Sequence, residues 1–291
     1  MIKEALAALG NSARDLFRNR GGLLLLALLY AALLASLYLF FAVGVANAWQ
    51  LAISAATAFA APALFLLLQA GAANAALPGA TAGRVVRRAP RDLLKVLLLA
   101  LPVVALGALF VYLLGKAEGW LPKVEAPPHV WTPGQTSGPK PTPLYWQDAL
   151  TSSLWLLLLG FVVPLLAAHL WLSAARDGLK ATLGRLHRVA GRAFAPRSVL
   201  VYALGFVAFG VMAYLVVYTR TAVSNGWAEI LVFGLRLALA FALTLLGWVV
   251  TLGALARVTP PLAEAPAAPE PAAAPPPPHA EQAAAAPQLQ A

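Results

Sequence analysis

The chain has 291 residues, 61% of them hydrophobic and 11% charged, with a formal net charge of +10. A soluble domain carries about 25% charged residues, so this chain cannot cover its own surface with polar groups, and lipid has to cover it. Cysteine is absent, which excludes disulfides, thiolate metal sites and cysteine nucleophiles. His129, His169, His187 and His279 fall in unrelated segments without metal-ligand spacing, and no cofactor is expected.

Residues 2–17 open the chain as an amphipathic helix. Ile2, Leu6, Leu9, Ala13, Leu16 and Phe17 recur every three to four positions, with Lys3, Glu4, Asn11, Arg14 and Asp15 opposite them. A helix of this kind, running straight into an apolar block, is expected to lie in the headgroup plane as an interfacial unit over residues 1–20.

Six apolar blocks follow, at 21–45, 51–70, 93–115, 150–172, 198–218 and 227–256. Each approaches the roughly 20 residues that a helix needs to cross about 30 Å of hydrocarbon. None alternates with period two, which argues against a barrel. The expected fold is an all-α, polytopic six-helix membrane domain over residues 21–258. The first block is too long for the roughly 7–15-residue apolar core of a cleaved signal and reads as an uncleaved span. Prolines in the second, third and fourth blocks (Pro62, Pro102 and Pro164) are expected to mark kinks.

Basic residues alternate in density from loop to loop. Lys3, Arg14, Arg18 and Arg20 precede the first block, and Arg84, Arg87, Arg88, Arg91 and Lys95 surround the start of the third. The segment 173–197 holds Arg176, Lys180, Arg185, Arg188, Arg192 and Arg197. The opposite side has Lys116, Lys123, Lys140 and Arg220. The positive-inside rule places both termini in the cytoplasm and the protein in a bacterial inner membrane. Trp49, Trp120, Trp131, Trp146 and Trp227 fall at outer span ends, Trp171 at an inner one, while Trp155 and Trp248 lie deeper as packing residues.

A basic stretch precedes each outward span, which suggests three units of interfacial segment plus hairpin; positive-inside selection alone gives the same look. Arg14, Arg18, Arg87, Arg88, Arg185, Arg188 and Arg192 are the candidate contacts to anionic lipid, each worth about 1 kcal/mol near the surface. A nucleic-acid partner is not expected, because no soluble basic face interleaved with aromatics is present. A protein partner or a second copy of the chain remains open. Residues 116–149 read as a proline-rich cap over the outer mouth, structural or a ligand lid. Residues 259–291, alanine- and proline-rich, read as a disordered tail.

Away from the span ends, charge is confined to Arg236. It lies 21 residues before Arg257, about 31 Å along a helix, and so can snorkel to the outer edge, with Glu229 or Asp148 as partner. Gln69, Asn74 and His169 are weaker polar candidates, suited to gluing helices together. His169 as a proton carrier lacks an intramembrane carboxylate to relay to. No HExxH, Walker A, GxSxG or paired-carboxylate pattern occurs, so no catalytic residue is assigned.

With "KEALAALGNSARDLFRNR" leading into the first span, the layout resembles a group of bacterial six-span proteins of unknown role. The membrane domain attached to some glycerophosphodiester phosphodiesterases is of this kind. The resemblance covers residues 1–258 in arrangement and implies a lipid connection without a catalytic residue. The expected function is a non-enzymatic component of an envelope or membrane assembly. The alternatives are a transporter or permease subunit for an uncharged or amphiphilic solute, and a lipid-modifying enzyme.

Overall fold

The structure is a computed structural model and describes residues 1–120, 146–219 and 226–262. Helix α1 (Ile2–Arg18) is followed by α2 (Arg20–Ala42), α3 (Ala48–Ala75) and α4 (Ala82–Trp120). Then come α5 (Trp146–Asp177), the short α6 (Leu179–Gly184) and α7 (Leu186–Ala193), α8 (Pro196–Tyr218) and α9 (Gly226–Val258). Six of these, α2, α3, α4, α5, α8 and α9, are long and apolar enough to cross a membrane. The chain is an all-α, multi-pass membrane protein. The greater part of the loop 116–149, His129 included, and the tail beyond residue 262 lie outside the described residues.

Local chemistry sets the helix starts. Asn19 caps α2 by accepting from Gly22 N at 3.1 Å. Asn47 caps α3 by accepting from Gln50 N at 2.9 Å, while the Gln50 side chain accepts from Ala46 N at 2.9 Å, close to a capping box. Between α3 and α4 the sequence Leu77–Pro78–Gly79 turns through Gly79 at φ 68°. Gly178, at φ 85°, ends α5 in the left-handed region that other residues avoid.

The segment around Pro90, expected to be a separate interfacial piece, is instead the first part of one 39-residue helix. Val85, Ala89, Asp92, Val96, Leu99 and Val103 are all buried at alternating spacings of four and three. A single unbroken helix keeps that seam against α3 and α5, and this outweighs the hydrogen bond that Pro90 removes.

Packing is uneven along the bundle. At the end that carries the basic segments, every residue of Leu68–Asn74 on α3, Ala167–Leu172 on α5 and Val249–Ala256 on α9 is buried. Toward the opposite end, large apolar side chains face outward: Phe41 is 82% exposed, Phe59 80% and Leu231 72%. Bare hydrocarbon on this scale is stable against lipid and not against water. The hairpins α2–α3, α4–α5 and α8–α9 are each closely paired, and their common core sits where α3, α5 and α9 converge at the basic end.

Helix α1 is docked rather than merely lying in the headgroups. Ala5, Ala8, Leu9, Ser12 and Leu16 are buried against α8 and α9, and the Ser12 hydroxyl donates to the Val250 carbonyl at 2.8 Å. Ile2, Leu6 and Phe17 remain exposed. At about 100° per residue they form a second apolar stripe beside the docked one.

Candidate functional site

The described spans line a cavity of about 610 Å³ in the half of the bundle nearer the basic end, within the range of about 300–1,000 Å³ typical of small-molecule sites. Each of the six spans contributes to its wall: Tyr30, Phe65, Val103, Trp171, Tyr202 and Trp248 come from α2, α3, α4, α5, α8 and α9 in turn. No charged side chain lines it. Three polar groups of the wall have partners within the protein, whereas the buried Trp171 Nε1 donor has none among the described residues. Gln69 Oε1 accepts from Trp248 Nε1 at 2.6 Å, Thr244 Oγ1 donates to the Ala240 carbonyl at 2.8 Å, and the Tyr202 hydroxyl donates to the Gly160 carbonyl at 3.2 Å. An ion in this space would lose its hydration without a counter-charge. A hydrocarbon would lose nothing.

Backbone irregularities adjoin this wall. Leu156–Val162 in α5 and Phe206–Val211 in α8 are wound as π-helix. Pro164 lies two residues beyond the first and has no N–H to offer the Gly160 carbonyl four residues back; the Tyr202 hydroxyl donates to that carbonyl instead. The second stretch follows Gly205, whose missing side chain lets α8 approach α9: a Cβ there would stand 2.2 Å from Thr251 Oγ1. Gly247 likewise admits Phe209. Gly107, also in the wall, has no atom within 4 Å of its would-be Cβ.

The polar residues singled out from sequence do not share this space. Only Gln69 lines it. His169 is 2% exposed and sits at the junction of α5, α8 and the segment after α9. Its Nδ1 is 3.0 Å from the Leu165 carbonyl, which makes Nδ1 the protonated nitrogen. Nε2 then accepts from the Ser198 and Thr259 hydroxyls at 3.3 and 3.4 Å. This histidine is fully satisfied as a neutral packing residue. Arg236 donates to the Thr219 carbonyl at the end of α8. Among the described residues it forms no ion pair with Glu229 or Asp148, both of which are exposed.

Sequence reading missed Asp92, which is 7% exposed between α3 and α4. Its carboxylate accepts from Asn74 Nδ2 at 2.9 Å and pairs with Lys95 Nζ at 2.6 Å, so Asn74 does join helices. Trp171, expected at an interface, is 5% exposed and packs edge-on against Trp248, with ring centroids 6.2 Å apart. Trp155 donates to Glu118 at 2.7 Å.

The basic residues divide into two groups. Arg14, Arg18, Arg87, Arg88 and Arg188 are exposed at the basic end. Arg185 and Arg192 instead turn toward the chain itself. Arg185 Nη1 donates to the Leu262 carbonyl at 2.8 Å, and Arg192 donates to the Pro260 and Pro261 carbonyls at 2.9 and 3.3 Å. Arg176 reaches the Ala256 and Thr259 carbonyls, both at 2.6 Å. These guanidiniums meet the carbonyl end of α9, where the helix dipole is negative. Leu262 is 1% exposed, so the first four residues of the expected tail are held against the bundle.

Among the described residues no three His, Asp or Glu side chains gather as a metal site. No family model matches the chain, and no curated protein or solved structure matches it. The site therefore rests on its own geometry, that of an apolar chamber inside a six-span membrane protein.

Proposed function

We propose that this chain is a non-enzymatic component of a bacterial inner-membrane or envelope assembly, with both termini cytoplasmic, that holds the hydrocarbon part of a lipid in its six-helix chamber. The observation that carries this reading is the cavity wall: all six spans contribute, none brings a charge, and Gln69, Thr244, Trp248 and Tyr202 are already hydrogen-bonded within the protein, leaving Trp171 Nε1 as a buried donor without a partner among the described residues. Its wall lies on the apolar spans, and the surrounding exposed leucines and phenylalanines put lipid next to it. The lipid connection implied by the resemblance to other six-span proteins points the same way.

A transporter or permease subunit for an uncharged or amphiphilic solute has less support, since Gln69, His169 and Arg236 line no common space. A lipid-modifying enzyme needs a titratable cluster at one interface, and Glu229, Arg236 and Asp148 form no ion pair with one another among the described residues.

Tryptophan fluorescence tests the chamber directly. The full chain is reconstituted in bilayers of phospholipid brominated in mid-chain, a quencher that acts on contact. Trp171 and Trp248 line the cavity, so an entering chain quenches them. Gly107→Phe fills open space in the wall and is expected to remove that part of the quenching. Equal quenching in both proteins would mean that no lipid chain enters.

A further inference from the structure

A second concavity lies at the basic end. Helix α1, the turn between α3 and α4, and the last turns of α9 enclose a cleft of about 450 Å³. Val249, Gly253 and Arg257 line it, whereas Thr244, Trp248 and Thr251 line the chamber. At about 100° per residue these sets occupy opposite faces of α9. The two sites are separate, and the argument for the cleft does not depend on the chamber being occupied.

The charges in the cleft can be counted. Arg257 pairs with the Asp15 carboxylate. Asn19 Nδ2 donates to the Ala80 carbonyl at 3.1 Å, which braces the turn. Arg18 also lines the cleft, and its guanidinium enters no ion pair or hydrogen bond among the described residues. Two cations and one carboxylate leave a single net positive charge. The level in the membrane is set by the neighbouring residue: Phe17, 56% exposed, continues the apolar stripe of Ile2 and Leu6. Arg20 already begins the first span. The cleft therefore sits where hydrocarbon gives way to headgroups.

We propose that this cleft seats the phosphodiester of an anionic phospholipid, with Arg18 as its direct partner and Arg257, held by Asp15, closing the far wall. A diester carries one negative charge and matches the cleft. A phosphate monoester carries about −1.5 to −2 at neutral pH and brings surplus charge against Asp15. A zwitterionic headgroup brings an ammonium toward Arg18 and Arg257. A guanidinium donates to a phosphate with two parallel N–H groups, a geometry that an exposed lysine lacks.

The test is native mass spectrometry of the full chain released from mixed micelles of phosphatidylglycerol and phosphatidylethanolamine in equal amounts. One retained phosphatidylglycerol is expected. Arg18→Gln should lower its occupancy about tenfold, the loss of one charge-assisted contact, and Arg18→Lys should recover part of it. Arg91→Gln, on the exposed flank of α4, should leave it unchanged. Asp15→Asn should raise it. Equal losses in Arg18→Gln and Arg91→Gln would overturn the proposal in favour of diffuse surface attraction. Equal retention of phosphatidylethanolamine, or displacement of the lipid by inorganic phosphate, would overturn the lipid diester as the ligand. A loss in Asp15→Asn matching that in Arg18→Gln would show that shape, and not charge, holds the lipid. Quenching by brominated chains in the chamber is read separately and survives any of these outcomes.

Discussion

The contact between Tyr202 and Gly160 shows how one residue decides the shape of a span. Pro164 has no N–H to offer the Gly160 carbonyl four residues back, and an underserved carbonyl inside a bundle costs free energy. The Tyr202 hydroxyl restores a donor from a helix 42 positions away, and its ring packs edge-on against Phe161 at 4.9 Å. Interhelical hydrogen bonds in membranes average about 0.6 kcal/mol and reach about 1.7. This one should fall in the upper part, because Pro164 cannot supply an α-helical donor to its acceptor. Tyr202→Phe is therefore expected to lower stability by about 1–1.7 kcal/mol, read from thermal or denaturant melting in detergent. In a Pro164→Ala background the alanine N–H can serve Gly160, and the same substitution should cost less. An unchanged cost in that background would detach the tyrosine from the proline. The proline was legible in the sequence as a place of helix irregularity, and π-helix precedes it. Its partner was not, since nothing in a tyrosine's neighbourhood announces which distant carbonyl it will serve.

Helix α1 makes the corresponding argument at the scale of an element. Its 3.6-residue pattern identifies an amphipathic helix, and sequence alone assigns the whole apolar face to lipid. The structure splits that face in two, with Ala5, Ala8 and Ser12 docked and Ile2, Leu6 and Phe17 left for the bilayer. Hydropathy cannot see the division because the docked stripe is built largely from small residues, which permit close approach without looking hydrophobic. Gly253 on α9 is the other half of the contact: a Cβ there would stand 2.1 Å from Ser12 Oγ. Gly253→Ala should thus push α1 off α9, at a cost typical of overpacking, about 1–3 kcal/mol. Ser12→Ala loses the bond to Val250 and clears the clashing oxygen. The double variant should then be less destabilised than the sum of the two single ones, a coupling that a melting cycle measures. Simple additivity would show that the two positions do not meet. The arginines of 173–197 carry a related lesson. Their number orients the protein, but count alone does not say that Arg176, Arg185 and Arg192 hold the chain leaving α9 while Arg188 faces out.

At the scale of the whole molecule, the six spans were legible because each is a long apolar block and the bilayer imposes the length. The chamber was not. It arises from hairpins that converge at one end and leave room between them, and that depends on which small residues meet which neighbours. Gly205 and Gly247 are filled by Thr251 and Phe209, whereas Gly107 faces open space; the sequence writes all three as the same letter. Orientation rests on the distribution of positive charge, and the lack of any native cysteine makes it directly measurable. Asn11→Cys lies on the exposed polar face of α1, and Gly119→Cys lies exposed near the far end of α4. In intact cells whose outer membrane has been made permeable, a membrane-impermeant maleimide should label the second and not the first. Breaking the inner membrane should then expose the first. Labelling of Asn11→Cys alone in intact cells would invert the protein, and the basic end, with its cleft and the arginines around α9, would then face away from the cytoplasm. The positive-inside rule makes that inversion costly, because the dense arginines of three separate segments would all have to cross the bilayer.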